Sequence, residues 1–402
     1  MSNAPDSHRP QEPAARLVLN IGVAALCRFI LNTSRRFVYP FAPVLSRGLG
    51  VPLTAITSLI ALNWAAGIIA VFIGPVTDRL GYRLMMIVGM TLMAVGMLVS
   101  GLVPLYAVVL VALFLAALGK AVFDPAAQAY ISEQVPYRRR GLAIGFLEYS
   151  WAGSALLGIP ALSIIIDKFG WRSPFFLMGV LALLGIAALV LLIPRANKDH
   201  ARQGSKINLQ EAWKRVSRER TARGALAFIF LVSAANDNLF VVYGAWLEQS
   251  FGLSIVALGL GTSAIGLAEL LGETMTAALA DRIGLKKSVV TGLMICIIFY
   301  VILPFISQTI TMAFVSLFLI FVAFEFMIVA SVSMATELLP ETRATMMATY
   351  LAAAGLGRVV GALIGGPVWL SGGIFATGLV SALISALALG ALFWGLQGWN
   401  KS

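Results

Sequence analysis

The residues of this sequence that could do chemistry are ionisable side chains set inside long apolar stretches. In the first half they are Arg28, Arg35, Arg36, Lys120, Asp124 and Glu148; in the second, Asp237, Glu269, Glu273, Glu325 and Arg358. An Asp, Lys or Arg at the centre of a membrane helix costs roughly 2.5–3.5 kcal/mol on the insertion scale. A chain that carries so many must turn them toward a wet cavity or toward one another. Carboxylates withdrawn from water take up protons readily unless a cation stands close, which is the chemistry proton coupling needs. Asp237, flanked by Asn236 and Asn238, and Glu325 are the first candidates for that role. Arg358 can pair with either.

Helical spacing groups the remaining candidates. Lys120 and Asp124 are four apart and share a face, with Gln128 extending the stripe and Pro125 expected to kink the helix. A self-neutralising structural pair explains them as well as a place on a transport path does. Arg28, Asn32, Arg35 and Tyr39 also fall on one face. Arg35 and Arg36 cannot both lie on that face, so one of them is expected to snorkel toward the outer surface; the stripe reads as a cationic lining of the cavity or as interfacial anchoring, and anchoring suits Arg36 better than Arg28. Glu269 and Glu273 share a face, although Glu273 also fits a helix-end residue.

Those residues must be positioned by membrane helices. The chain of 402 residues is 59% hydrophobic and only 12% charged, with a mean hydropathy of +0.91. A soluble domain carries about twice that charge fraction. Apolar runs predict twelve spans, at 17–46, 53–77, 83–103, 105–131, 141–166, 174–194, 223–250, 254–280, 286–307, 310–338, 344–370 and 373–397. Residues 1–16 read as a disordered tail, 17–194 and 223–397 as two six-helix bundles, and 398–402 as a short tail. The basic stretch 195–222 links the bundles, either as an amphipathic helix on the anionic leaflet or as a flexible linker.

The net charge of +11 is distributed so as to argue against nucleic acid. Most Lys and Arg fall in one alternate set of loops and in the tails, while Arg47, Lys168 and Arg172 fall on the other side. By the positive-inside rule both termini face the cytoplasm and the protein sits in the cytoplasmic (inner) membrane. Cys27 and Cys296 lie in apolar segments as small packing residues. The two histidines, His8 and His200, are in polar segments, so no metal centre is expected, and the sequence carries no phosphate-binding Gly-x-x-x-x-Gly-Lys-Ser/Thr loop.

Two loops repeat at half-length. Gly74, Asp78, Arg79, Gly81 and Arg83 form one; Asp281, Arg282 and Gly284, followed by Lys286 and Lys287, form the other, and Asp78 and Asp281 stand 203 positions apart. A second echo follows the fourth span of each half, Glu133 to Pro136 and Arg138–Arg140 against Glu337 to Pro340 and Arg343. Repetition at half-length means two copies of one plan. The pattern resembles the major facilitator superfamily, whose loop between helices 2 and 3 reads G-x-x-x-D-R-x-G-x-R/K. In the second copy Ala277 replaces the leading Gly. The fifth span, with Gly145, Gly153, Gly158 and Pro160, is similar to the antiporter motif of the family's exporters, with Ile159 interrupting the Gly-Pro pair.

The resemblance implies an all-α membrane protein of twelve helices in two pseudo-symmetric six-helix bundles, working by alternating access as a monomer. It implies a transporter and no enzyme, without cofactor, exchanging a small organic molecule for protons. The gating motif would be carried by Gly74, Asp78, Arg79, Gly81, Arg83, Asp281, Arg282 and Gly284. The substrate and proton pathway would be carried by Arg28, Asn32, Arg35, Lys120, Asp124, Glu148, Asp237, Glu269, Glu325 and Arg358. One departure stands out: the fourth span lacks the exporters' Arg, and Lys120 is the cation available in its place. The cation-rich first half suits an anionic, zwitterionic or amphipathic substrate. An uptake symporter, a lipid or amphiphile translocase and a non-transporting sensor of the same fold are the rival readings; the buried carboxylates argue against the sensor.

Overall fold

In the computed structural model, residues 14–135, 137–194, 216–339 and 342–397 are described; for some helical residues among them, including 67–79 and 281, the description stops at the backbone. Most of the basic linker and both tails lie outside the described residues, and so does the test of the amphipathic-helix reading.

The described chain is helical, in the order α1 (Ala14–Arg36), α2 (Ala42–Leu49), α3 (Leu53–Leu80), α4 (Tyr82–Leu102), α5 (Tyr106–Gln134), α6 (Tyr137–Gly153), α7 (Ile159–Phe169) and α8 (Ser173–Leu192). The second half follows with α9 (Arg220–Phe240), α10 (Tyr243–Phe251), α11 (Ile255–Ile283), α12 (Leu285–Ile306), α13 (Ile310–Leu338) and α14 (Arg343–Gly395). With no water in hydrocarbon, each backbone polar group must be satisfied within its own segment, which a helix does. Ends are capped where the sequence provides a hydroxyl: Ser254 Oγ accepts from the Ala257 N–H at 3.2 Å, and Thr309 Oγ1 accepts from that of Met312 at 3.3 Å.

Among the described residues, ten helical stretches are long and apolar enough to cross a membrane. The 28-residue α3 adds another span. A twelfth comes from α14, whose 53 residues fold back on themselves. Its first part runs alongside α9, with Gly357 against Phe230 and Gly361 against Ala234. Its second part returns along the same helix, with Thr377 and Ser381 bonded to Asn238 and Gly395 against Gly224. The reversal falls at Gly372 and Gly373, the latter at φ 59°. The predicted boundary between spans 11 and 12 lies at this position.

The duplication is visible in the backbone. The positive-φ residues among those described are all Gly and come in three pairs: Gly50 and Gly252 at 65° and 63°, Gly81 and Gly284 at 85° and 91°, Gly170 and Gly373 at 82° and 59°. Members of each pair are about half a chain apart and turn the chain at the same step in each half. The broken first span, α1 followed by α2, likewise matches α9 followed by α10.

Large apolar side chains such as Leu26, Val95, Leu183, Ile298 and Leu383 are exposed around the bundle. In water this would be an aggregation surface; in a membrane it is the lipid-facing wall. The halves meet through α3 against α14, α7 against α11, and α2 against α10. At the end away from the termini, called the far end below, the approach is close. A Cβ on Gly244 would fall 2.3 Å from the Pro40 carbonyl oxygen, and one on Gly259 would fall 2.2 Å from Ser163 Cβ. Glycine at these positions is what lets the two halves touch.

α5 runs unbroken through Pro125. The Gly-rich fifth span instead carries a π-helical turn at Ser154–Gly158, where Gly158 packs on the Thr33 side chain of α1. An extra residue in the turn re-aims the side chains on either side of it.

Candidate functional site

The mid-bundle charges form three clusters. The first lies within the first half. Asp124 on α5 takes Lys120 Nζ at 2.5 Å and Arg28 Nε at 3.1 Å, and the same guanidinium reaches Glu148 on α6 at 2.9 Å. The expected Lys120–Asp124 pair is therefore one edge of a four-residue network of two cations and two anions. Asn32, one turn beyond Arg28, donates to Ser150 Oγ at 3.0 Å, and its own Oδ1 is buried without a partner among the described residues.

A second cluster crosses between the halves. Arg36 donates to both carboxylate oxygens of Glu269, at 2.9 and 2.7 Å, and to the Trp151 carbonyl at 3.0 Å. Its guanidinium lies 4.3 Å from the centroid of the Trp151 ring. The two side chains are only 2% and 5% exposed. The expectation that Arg36 anchors at the outer surface is thus corrected. It is held inward because a fork-to-fork carboxylate, a carbonyl and an indole face together replace its hydration, which no interface contact would match.

The third cluster is built around an indole. Asp237 on α9 is fully buried and accepts from Arg358 at 3.2 Å and, more distantly, from the Tyr39 hydroxyl at 3.5 Å. Tyr39 in turn accepts from Trp64 Nε1 at 2.5 Å. Arg358 lies 4.3 Å from the Trp64 ring centroid and Arg35 lies 4.9 Å from it. Arg35 Nε donates to Asn63 Oδ1 at 2.7 Å. Of the two partners foreseen for Arg358, the structure selects Asp237. Trp64 and Asn63 were not singled out from the sequence; an Asn-Trp pair in the middle of an apolar span was the signal available.

Glu325 and Glu273 complete the picture. Glu325 on α13 sits against α11 at Gly272, where an added Cβ would come within 2.7 Å of its own. It lies within electrostatic reach of Glu269 and Glu273, and of Arg358 and Arg36. Neither Glu325 nor Glu273 has a hydrogen-bonding or ion-pair partner among the described residues, and both are half-buried.

At the repeated loops, Gly81 and Gly284 make the turns, and Arg83 donates to the Val190 carbonyl near the end of α8, where a cation meets the negative end of the helix. Arg282 is exposed. The side chains of Asp78, Arg79 and Asp281, and the surroundings of Gly74, lie outside the described residues. No cluster of His, Cys, Asp and Glu among the described residues could hold a metal.

Twelve spans, a half-length repeat and charges gathered at the seam between the halves define a membrane transport fold. The Major Facilitator Superfamily matches residues 24–236 and 225–398, and the chain belongs to that family of transporters, which are not enzymes. The chain is 25% identical over 350 residues to the uncharacterized MFS-type transporter YceJ of Bacillus subtilis (strain 168), covering 85% of this chain and 87% of that one. It is 27% identical over 303 residues to the multidrug resistance protein MdtG of Citrobacter koseri, covering 72% and 73%. In fold it superposes on a bacterial homolog of the human lysosomal transporter Spinster, in an inward-facing and unoccupied conformation, with a TM-score of 0.78 and 16% identity over 97% of this chain and 100% of that one.

Proposed function

We propose that this transporter exports a small organic molecule across the cytoplasmic membrane in exchange for protons, with both termini in the cytoplasm. The observation that carries the reading is the buried Arg36–Glu269 pair. It joins the two halves, and two carboxylates with no ion pair among the described residues, Glu325 and Glu273, stand near it. Similarity to a protein named for multidrug resistance supports the outward direction. The lopsided Lys and Arg distribution supports the orientation.

The cycle follows from which charges share a half. Asp237 and Arg358 both belong to the second half, so rocking leaves them together. Arg36 and Glu269 belong to different halves, so opening the far end separates them. Glu269, deprived of its cation and facing the outside, then binds a proton. When the far end closes, Arg36 returns and displaces that proton. Glu325 or Glu273 accepts it and passes it to the cytoplasmic side. Each cycle carries a proton inward and lets substrate leave outward. A symporter would use the same parts with the substrate moving the other way.

The test is transport by the purified protein in proteoliposomes under an imposed pH gradient, with proton movement recorded on addition of candidate substrates. Antiport predicts that substrate and proton flow in opposite directions. Flow in the same direction makes it a symporter, and substrate flux indifferent to the gradient removes the proton from the account.

A further inference from the structure

Arg35 is the one mid-bundle cation among those singled out that holds no carboxylate. Arg28 and Lys120 share Asp124 and Glu148, Arg36 holds Glu269, and Arg358 holds Asp237. Arg35 has only the Asn63 amide oxygen on Nε and the face of Trp64 beside it. Its two terminal nitrogens have no hydrogen-bond partner among the described residues, and the side chain is half-buried rather than sealed. A guanidinium in a low-dielectric site with no carboxylate bonded to it, and only the more distant charge of Asp124 in reach, is a costly arrangement unless an anion arrives to complete it. The free edge is the pair of nitrogens that grips a carboxylate in a bidentate fork. Asn63 holds the other edge and so fixes the direction in which the fork points.

The surroundings narrow the ligand further. Trp64 is shared between Arg35, from the first half, and Arg358, from the second. Asp237 already neutralises Arg358, which leaves the first-half arginine as the free charge. The half-buried indole supplies flat apolar surface next to the cation, and it is held in place by its bond to the buried Tyr39, whose ring is tilted against Phe240 with centroids 4.4 Å apart. A cation beside aromatic faces recognises an acid carried on an apolar or aromatic body.

We propose that Arg35, held by Asn63 on the face of Trp64, is the acid-recognising residue of the transport cavity, and that the substrates are small organic acids with an apolar body. This rests on the reading of the chain as a transporter. The test needs neither transport nor a proton gradient, so the two can fail separately.

Purified full-length protein is titrated calorimetrically with three probes of one shape: 1-naphthaleneacetate, its neutral amide and 1-naphthylmethylamine. A charge-assisted pair of hydrogen bonds predicts about tenfold to a hundredfold tighter binding of the acid than of the amide. Arg35→Gln abolishes that preference, and Arg35→Lys, which keeps the charge but loses the fork, retains part of it. Melting curves recorded for both variants establish that they are folded. The proposal is overturned if the acid fails to bind at millimolar concentration, if the amide or the amine binds as tightly, or if folded Arg35→Gln keeps the acid preference.

Discussion

Replacing Glu269 by Gln keeps the size of the side chain and removes the charge that Arg36 is bound to. The pair is fork-to-fork and almost completely enclosed, with the side chains 2% and 5% exposed. Stripping one partner from a buried ion pair costs about 3–5 kcal/mol. Arg36 keeps the Trp151 carbonyl and ring, and Gln keeps one acceptor oxygen, so the lower end of that range applies. On the proposed cycle the cost falls on the far-end-closed state alone, because only there would the two residues meet. A shift of about 3 kcal/mol moves the balance between closed and open by roughly two powers of ten. Ser163 reports on it, since it is buried against Gly259 in the seam. With Cys27 and Cys296 replaced, a cysteine at Ser163 should react slowly with an impermeant maleimide from outside, and much faster when Glu269→Gln is added. Equal labelling rates in the two backgrounds, with both proteins folded, would refute the argument that this pair closes the far end.

Two further outcomes are expected. Arg358→Gln leaves the fully buried Asp237 without its cation, which should lower stability by about 3–5 kcal/mol; adding Asp237→Asn should recover most of that loss, read from melting curves of the single and double variants. Cysteines placed at Ser205 and Ser402 should resist an impermeant thiol reagent in intact cells if the basic linker and the tail are on the cytoplasmic side, as proposed from the Lys and Arg distribution; ready labelling would reverse the orientation.

The spans and their repeat were legible because a bilayer imposes a length and an apolar composition on every helix that crosses it. The turn at Gly372–Gly373 fell at the junction of the predicted spans, on the first residue of the second, because two glycines interrupt an otherwise continuous apolar run. Lys120–Asp124 was legible because four residues on one helix are neighbours whatever surrounds them. Asp237 with Arg358 could be suspected, since few cations were available to so deep a carboxylate. Arg36 was misplaced for a physical reason. A helical wheel shows that it leaves the Arg28–Tyr39 stripe, but not which helix lies opposite, and its partners are 115 and 233 residues away. The bridge from Arg28 to Glu148 and the sharing of Trp64 by two arginines were hidden in the same way. They depend on how the helices are rotated against one another, which local spacing does not encode.

Glu325 carries the central claim most directly, as a carboxylate beside the inter-half pair with no cation of its own. Wild type and Glu325→Gln are reconstituted in parallel, and substrate flux is recorded with and without a pH gradient. If Glu325 receives the proton that Arg36 displaces from Glu269, the variant should lose gradient-driven accumulation while still exchanging substrate across the membrane. Full gradient-driven transport by folded Glu325→Gln would contradict that role for Glu325.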